Sequence, residues 1–131
     1  PYQVYDAADK KFIVAVGNDA QFIKFAGIVS PDLLGDKRFA TNQLRVENIT
    51  ALNERLSSVF STKSAEYWVD KLQHIHIPTG VINNVKEAFD LATSLGLSPV
   101  VEIEGVKSVA NPIKFSKTPV QYKSAPPKLA D

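Results

Sequence analysis

The sequence predicts an α+β fold in which a small antiparallel sheet of three to four strands packs with a helical hairpin and shorter helices. The first observation is the apolar run at residues 12–16, whose length and composition are those of a buried strand. Gly17 and Asn18, residues that turns prefer, follow it directly. The second observation is the helical spacing of the next apolar residues, Phe22, Phe25, Ala26 and Val29. Strand and helix patterns therefore alternate within one short chain, which is typical of mixed folds.

Composition limits the classes of fold and function before any motif is considered. With 44% apolar and 22% charged residues, the 131-residue chain has enough apolar side chains to bury a core as a single domain. A net charge of +1 gives no general attraction to nucleic acid or membranes. The absence of cysteine excludes disulfides and thiolate metal sites, and no apolar run approaches the length of a membrane span. The absence of methionine predicts that the chain is a piece of a longer protein or a processed product.

The first elements follow from local patterns. The polar segment 6–11 separates the β-rich runs 2–5 and 12–16, which predicts an antiparallel hairpin. We expect a helix at residues 19–29, with Asp19 accepting hydrogen bonds from the free amides of its first turn. A strand-to-helix corner of this kind suits polar or anionic groups, but most such corners bind nothing. The corner alone therefore predicts no site.

Short helical turns are predicted between this helix and the next long one. Pro31 is placed at the start of a turn that Gly35 ends. Residues 36–39 are expected to form an exposed connection with Phe39 as its one aromatic anchor. Asn42 is expected to cap a short helix that runs to Val46.

Two amphipathic helices are predicted to pack as a helical hairpin. Thr50 is expected to cap the first and Ser64 the second, where Glu66 lies in the first turn and is favoured by the helix dipole. Trp68, the only tryptophan, lies at core spacing, so we expect it to pack in the interior rather than against a ligand. The apolar faces consist of Leu52, Leu56, Val59 and Phe60 in the first helix and Trp68, Val69 and Leu72 in the second.

The last third of the chain is predicted to contain a bent extended segment at residues 75–82 and then a helix. Asn84 and Glu87 have the spacing of a capping box, and Gly96 is placed to end that helix. Residues 100–104 are expected to form a strand, and residues 113–115 a last short one. From residue 118 the prolines predict an extended tail or linker.

Three groups of polar side chains are candidates for chemistry, and each has a simpler explanation. His74 and His76 would share one face of a strand, but without a third ligand they are better interpreted as surface histidines. Glu102 and Glu104 would also share a strand face and could act as an acid–base pair, although a half-exposed strand commonly shows such charges. The lysines that follow Glu104 could attract phosphates or belong to an ordinary tail; they are Lys107, Lys114, Lys117, Lys123 and Lys128. The sequence contains no nucleophile elbow, phosphate loop or dinucleotide fingerprint.

Several short motifs, each weak alone, follow one another in a recognisable order. They are P-Y-Q-V-Y at residues 1–5, I-V-A-V-G-N-D-A-Q-F at 13–22, D-K-R-F-A-T-N at 36–42, I-P-T-G-V-I-N at 77–83 and N-P-I-K-F-S at 111–116. Their order and spacing resemble the small domain of family III CoA-transferases. That group includes formyl-CoA transferase, the succinate–hydroxymethylglutarate enzyme and α-methylacyl-CoA racemase.

The resemblance implies an enzyme that moves coenzyme A between carboxylic acids through an aspartyl intermediate. The nucleophilic aspartate of the family belongs to a large domain upstream, so the resemblance assigns no catalytic residue and no metal ligand to this chain. It implies no bound cofactor, with coenzyme A thioesters as substrates of the parent enzyme. In the racemase branch, a tyrosine and an acidic residue that line the substrate pocket match Tyr2 and either Asn18 or Asp19. These three residues are the candidates for substrate binding.

The resemblance also implies how the chain is organised and assembled. Residues 1–123 correspond to the small domain and residues 124–131 to a proline-containing linker that returns to the large domain. The family forms interlocked homodimers, so the isolated piece is predicted to be inactive. An intracellular location follows, in the mitochondrial matrix or the cytoplasm. The sequence departs from the family at Val81, where proline is usual, and at residues 103–106, where a His-Pro turn is common. The alternative to an acyl-exchanging enzyme is a non-catalytic binding or interaction module.

Overall fold

The structure is a computed structural model that describes residues 1–128 of the chain. Its contacts divide the chain into two compact units, one spanning Pro1–Ile82 and the other beginning at Asn83. The fold class is confirmed as α+β, with five helices and two small antiparallel sheets in the described part. Within residues 1–128, no helix combines the length and apolar character needed to cross a bilayer.

The first unit is built on a three-stranded antiparallel sheet. Its strands are β1 (Tyr2–Asp6), β2 (Lys11–Ala15) and β3 (Thr79–Val81), and β2 lies between the other two. Tyr5 pairs with Phe12 across β1 and β2, which confirms the predicted hairpin. Because β2 is the central strand, its residues Phe12 and Val14 are fully buried.

Four helices complete the first unit. They are α1 (Asp19–Val29), α2 (Asn42–Glu47), α3 (Ile49–Phe60) and α4 (Ala65–His74), and two short 3₁₀ turns, Pro31–Gly35 and Lys37–Phe39, separate α1 from α2. The side chain of Ser64 accepts a hydrogen bond from the Tyr67 amide at 3.2 Å, so the predicted cap of α4 is confirmed.

An aromatic cluster forms the centre of the first unit. Phe60 at the end of α3 contacts the rings of Tyr5, Phe12, Phe25 and Trp68, with centroids 4.9–6.2 Å apart. Trp68 is only 5% exposed, and its indole N–H donates to the Phe60 carbonyl at 3.0 Å. The prediction that Trp68 is a core residue is therefore confirmed, and its one polar atom has a partner inside the core.

The predicted range 19–29 of α1 is confirmed, but three predicted helix caps were wrong by one or two residues. Asn18 rather than Asp19 caps α1, since its side chain accepts from the Gln21 amide at 2.9 Å. Thr41 rather than Asn42 caps α2. Helix α3 begins at Ile49 instead of after Thr50, because Asn48 both ends α2 and starts α3.

The second unit contains α5 (Val85–Ser94) and a two-stranded hairpin of β4 (Val100–Ile103) and β5 (Val106–Val109). The capping box of Asn84 and Glu87 is confirmed, and Gly96 adopts the left-handed conformation, with φ of 76°, just after the helix. In residues 83–128 no side chain is fully buried.

Two strand predictions in this unit were wrong. Residues 113–115 form no strand, and Glu104 lies in a turn instead of beside Glu102 on a strand face. Glu104 and Gly105 have φ of 51° and 79°, the two positive values that a tight hairpin turn between paired strands requires. The chain therefore returns at once through β5.

The predicted linker at residues 124–131 is described only in part. Residues 124–128 have no helix or strand, and residues 129–131 lie outside the described residues. The boundary at residue 124 stays a prediction.

Candidate functional site

The candidate site lies in the first unit, where the end of β2 meets the start of β1. Tyr2 pairs with Ala15, and the Val16 amide donates to the Pro1 carbonyl at 2.8 Å. The chain then turns through Gly17 and Asn18 into α1. The hairpin register therefore brings Tyr2 to the end of the sheet at which β2 leads into α1.

A cavity of about 250 Å³ opens at this end of the sheet. Tyr2 forms part of its wall and remains 75% exposed, and Arg45 from α2 forms another part. None of the residues around the cavity is acidic; they are Pro1, Tyr2, Gln3, Val16, Asn42, Arg45, Val46 and Ile49.

Arg45 is the one charged residue that is buried in the described chain, at 3% exposure. Its Nη1 donates to the Phe39 carbonyl at 3.0 Å and its Nη2 to Oδ1 of Asp19 at 2.5 Å. The guanidinium carbon lies 4.2 Å from the centre of the Phe22 ring, close enough for a cation–π contact. Its charge is thus compensated by an acid, a carbonyl and a ring face, as a buried charge requires.

The three residues predicted to bind substrate have different surroundings. Tyr2 borders the cavity directly. Asp19 does not border it but is held by Arg45, and its side chain is still 53% exposed. Asn18 is exposed, and its Oδ1 is committed to capping α1. Tyr2 and Arg45 therefore border one cavity and Asp19 pairs with Arg45, whereas the Asn18 side chain caps α1.

A chain of hydrogen bonds holds Gln3, another residue that borders the cavity. The Tyr5 hydroxyl donates to Oδ1 of Asn53 at 2.8 Å, and the Asn53 amide nitrogen donates to Oε1 of Gln3 at 3.1 Å. Burial raises the pKa of the Tyr5 phenol above its usual value, so this group stays protonated and remains a donor. Gln3, at the cavity wall, is consequently held in one orientation by the core.

The arrangement suits recognition of a small polar or anionic group. The residues around the cavity include Tyr2 with its hydroxyl, Gln3 and Asn42 with their amides, and Arg45, whose charge is partly balanced by Asp19. Hydroxyl, amide and guanidinium groups are the donors that carboxylates accept from in proteins. The residues that border the cavity include no nucleophile paired with a base.

The histidine and glutamate candidates do not come together as metal ligands or as a pair on one strand face. Nδ1 of His74 lies 2.8 Å from the Asp70 carbonyl oxygen, and His76 lies after the end of α4 with φ of 60°. Among residues 1–128 no three His, Asp or Glu side chains come together as metal ligands would. Glu102 and Glu104 belong to different parts of the hairpin, a strand and its turn.

Sequence reasoning missed Arg45 as a site residue. The signal in the sequence was a single arginine between Leu44 and Val46 in a short helix. An arginine is rarely buried completely unless its charge is paired. Its partner Asp19 lies 26 positions away in the sequence. No local pattern connects two residues at that distance.

Comparison with known proteins gives a consistent result over the whole chain. A model of CoA-transferase family III matches residues 1–131. The chain is 32% identical over 117 residues to acetyl-CoA:oxalate CoA-transferase of Acetobacter aceti, covering 88% of this chain and 30% of that enzyme. It is 32% identical over 135 residues to human succinyl-CoA:glutarate CoA-transferase, covering 98% of this chain and 31% of that enzyme.

A solved structure shows the same fold at similar identity. A CAIB/BAIF family protein from Brucella suis superimposes with a TM-score of 0.89 at 34% identity, covering 98% of this chain and 34% of that one. The chain thus spans about a third of the length of the relatives that it matches.

Proposed function

The chain belongs to CoA-transferase family III and corresponds to the small domain of its members, and from that premise we propose that it serves an enzyme that moves coenzyme A between carboxylic acids. The family match over residues 1–131 is the observation that carries this proposal. The covalent step takes place on an aspartate in the part of the protein outside this chain, where an aspartyl intermediate divides the exchange into two easier transfers.

The contribution of this chain is to shape the pocket for the acid that receives or releases coenzyme A. Support comes from the cavity at Tyr2, whose wall carries hydrogen-bond donors and no acidic side chain. The relatives are named for small dicarboxylates, oxalate and glutarate among them. A carboxylate of that size is compatible with a cavity of about 250 Å³ and with the donors around it.

We propose that three residues contact substrate, and the structural observations favour them to different degrees. They are Tyr2, Asn18 and Asp19. Tyr2 is favoured most, since it is 75% exposed and borders the cavity. Asp19 is favoured by its half-exposed carboxylate beside Arg45. Asn18 retains only its exposed amide nitrogen, because its oxygen already caps α1.

The remaining parts of the proposal concern the whole protein. The chain works with a large domain of the same polypeptide, in an interlocked homodimer, on acyl-CoA thioesters and without a bound cofactor. The protein acts inside the cell, in the cytoplasm or the mitochondrial matrix. Separated from the large domain, the chain has no transferase activity because it contains no nucleophile for the exchange.

Coupled transfer assays on the full polypeptide containing this chain test the proposal. Acetyl-CoA and succinyl-CoA serve as donors, and oxalate, succinate and glutarate as acceptors. Tyr2→Phe is expected to raise KM for the acid about tenfold, the loss expected when one hydrogen bond to a charged group is removed. Tyr67→Phe is the matched control, since Tyr67 is 42% exposed on α4 and does not border the cavity.

Three results would contradict the proposal. Transfer by the isolated 131-residue chain would show that the catalytic apparatus lies within it. Racemisation of a 2-methylacyl-CoA without any transfer would move the protein to the racemase branch. Binding of acyl-CoA by the full polypeptide with no reaction for any donor and acceptor would favour a non-catalytic binding module.

A further inference from the structure

A buried phenol sets the polarity of the hydrogen bonds that reach the candidate site. Tyr5 is 2% exposed, and the one hydrogen-bond partner of its hydroxyl within residues 1–128 is the side chain of Asn53, at 2.8 Å. A buried hydroxyl proton without an acceptor is unfavourable, so the phenol donates. The two ends of a carboxamide have the same shape, but only the oxygen accepts. Asn53 must therefore turn its oxygen, Oδ1, toward Tyr5.

The same polarity passes from Asn53 to Gln3. With its oxygen turned to Tyr5, Asn53 turns its nitrogen toward Gln3 and donates at 3.1 Å. The atom of Gln3 that receives this bond must be an acceptor, so it is Oε1. The atom of the Gln3 carboxamide that is left for another partner is the nitrogen, Nε2. Tyr5 thus determines, through Asn53, that Gln3 retains a donor and not an acceptor.

Nε2 of Gln3 is open to a ligand. It makes no hydrogen bond with the part of the chain that the structure describes. Since no buried side-chain nitrogen or oxygen in residues 1–128 lacks a partner, this nitrogen is not buried. Gln3 is half-buried and borders the cavity of about 250 Å³. A donor that is accessible beside a cavity is matched by a ligand that carries an acceptor.

The charges around the cavity favour an anionic acceptor. Arg45 has the one charged side chain among the residues that border it, and Asp19, the acid that pairs with Arg45, does not border it. Glu54, which follows Asn53 on α3, borders a different cavity. An anion beside Gln3 would meet an amide that is oriented before the anion arrives, so binding does not have to order that side chain.

The anion that reaches Gln3 would be the end of the acid that does not react. Under the proposed function the nucleophile lies outside residues 1–131, and the residues that border the cavity include no nucleophile paired with a base. The reacting carboxyl group has to face the rest of the protein, so the end of the acid at Gln3 is the remote one. A dicarboxylate carries an acceptor at that end, whereas a monocarboxylate of the same length carries a methyl group.

We propose that Gln3 determines specificity by donating from Nε2 to the remote carboxylate of a dicarboxylic acid, and that Tyr5 and Asn53 are positioning residues that hold it in this orientation. The inference rests on the proposed function for the identity of the ligand as the acid substrate. It adds that selection of the remote carboxylate depends on a series of hydrogen bonds that begins in the core.

Transfer assays on the full polypeptide test the role of Gln3, with acetyl-CoA as donor and glutarate or pentanoate as acceptor. The two acids have the same number of carbons and differ in the remote carboxylate. Gln3→Met keeps the length of the side chain without the donor, and is expected to raise KM for glutarate about tenfold and KM for pentanoate less than about twofold. The value of kcat is expected to change less than about twofold, because the contact is remote from the reacting atoms. An equal rise in KM for both acids would overturn the proposal.

Gln73→Met is the matched control. Gln73 on α4 also makes one side-chain hydrogen bond, from Nε2 to the Thr79 carbonyl at 3.3 Å, but it does not border the cavity. KM for glutarate is expected to stay within about twofold of the parent value. A tenfold rise in this variant would contradict the proposal, since loss of any glutamine side chain would then have the same effect.

Two further variants test the polarity itself. Asn53→Asp offers only oxygens, so Gln3 has to turn its nitrogen toward the new carboxylate and leave Oε1 at the cavity; KM for glutarate is expected to rise about tenfold or more. Tyr5→Phe removes the orienting proton without adding a charge, and KM is expected to rise about twofold because both orientations of Gln3 become available. In the Gln3→Met background, neither substitution is expected to raise KM further by more than about 1.5-fold. Independent, multiplying effects would show that Asn53 and Tyr5 do not act through Gln3.

Calorimetric titration of the full polypeptide with glutarate separates this inference from the proposed function. If no transfer occurs but Gln3→Met raises the Kd for glutarate about tenfold, the proposed function fails and the role of Gln3 stands. If transfer occurs and Gln3→Met leaves KM for glutarate unchanged, the role of Gln3 fails and the proposed function stands. Absence of glutarate binding would overturn the inference. If Asn53→Asp does not fold, Gln3→Met and Tyr5→Phe decide.

Discussion

Replacing Arg45 with lysine tests whether the buried guanidinium organises the candidate site. Lysine keeps the positive charge but has no planar fork, so it cannot donate to both the Phe39 carbonyl and Asp19 while lying flat on the Phe22 ring. We expect the substitution to destabilise the first unit even though the net charge does not change.

The expected magnitude follows from the three contacts. Loss of one hydrogen bond made by a charged donor costs about 1.5–3 kcal/mol. The cation–π contact adds roughly 0.5–2 kcal/mol. The pair with Asp19 is discounted to about 1 kcal/mol at most, because that carboxylate is 53% exposed. Since an ammonium retains part of each interaction, the net loss is expected to be about 2 kcal/mol.

Urea unfolding followed by Trp68 fluorescence measures this loss. Trp68 is the only tryptophan and is packed against Phe60 in the core of the same unit, so it reports on the affected region. With a slope of about 2 kcal/mol per molar for a chain of this size, the midpoint is expected to fall by about 1 M.

Arg38→Lys is the matched control. Arg38 also pairs with an acid, Asp36 at 2.7 Å, and also lies over a phenylalanine ring, but its side chain is 53% exposed whereas that of Arg45 is 4% exposed. No resolvable change in its unfolding midpoint is expected. Equal effects of the two substitutions, or an unchanged midpoint for Arg45→Lys, would show that burial of the guanidinium does not determine its contribution to stability.

Other predictions concern backbone conformation and pH. Gly27→Ala in α1 is expected to stabilise the protein by about 0.5–1 kcal/mol, since a Cβ there meets no atom within 4 Å and glycine is a poor helix former. Gly96→Ala is expected to cost about 1–2 kcal/mol despite equally open space, because its φ is 76°; thermal unfolding of both variants checks the opposite signs. The Ala65 amide, donating to Asp9 at 2.8 Å, holds the pKa of that carboxyl below its usual value. The stability from this contact is thus present above pH 4 and lost as the pH falls through the lowered pKa, so Asp9→Asn should lose less stability than the parent between pH 5 and pH 2, measured by urea midpoints. A parallel pH dependence of the two proteins would contradict this role of Asp9.

The elements that were predicted well are those with a local cause. The apolar run at residues 12–16 and the 3.6-residue spacing of Phe22, Phe25 and Val29 each need only neighbouring residues to be recognised, and both match the structure. The capping box at Asn84 is equally local. The errors at Asp19 and Thr50 are shifts of one or two residues, which arise when several polar residues near a helix start compete to cap it.

The β5 strand was missed because its turn is unusual. A Glu-Gly pair carries the two positive φ angles at residues 104 and 105, and glutamate is a less common choice there than asparagine or aspartate. Without that turn, the residues after Glu104 gave no strand signal strong enough to recognise.

The sequence by itself determined the class of fold, the order of most elements and the family, because periodicity, caps and motif order are properties of neighbouring residues. Only the tertiary structure decided that Arg45 is buried between Asp19, Phe39 and Phe22, that Tyr2 borders a cavity, and that residues 83–128 lack a buried side chain. Those features depend on contacts between residues far apart in the chain and on how much surface each element covers, and neither quantity is contained in a local pattern.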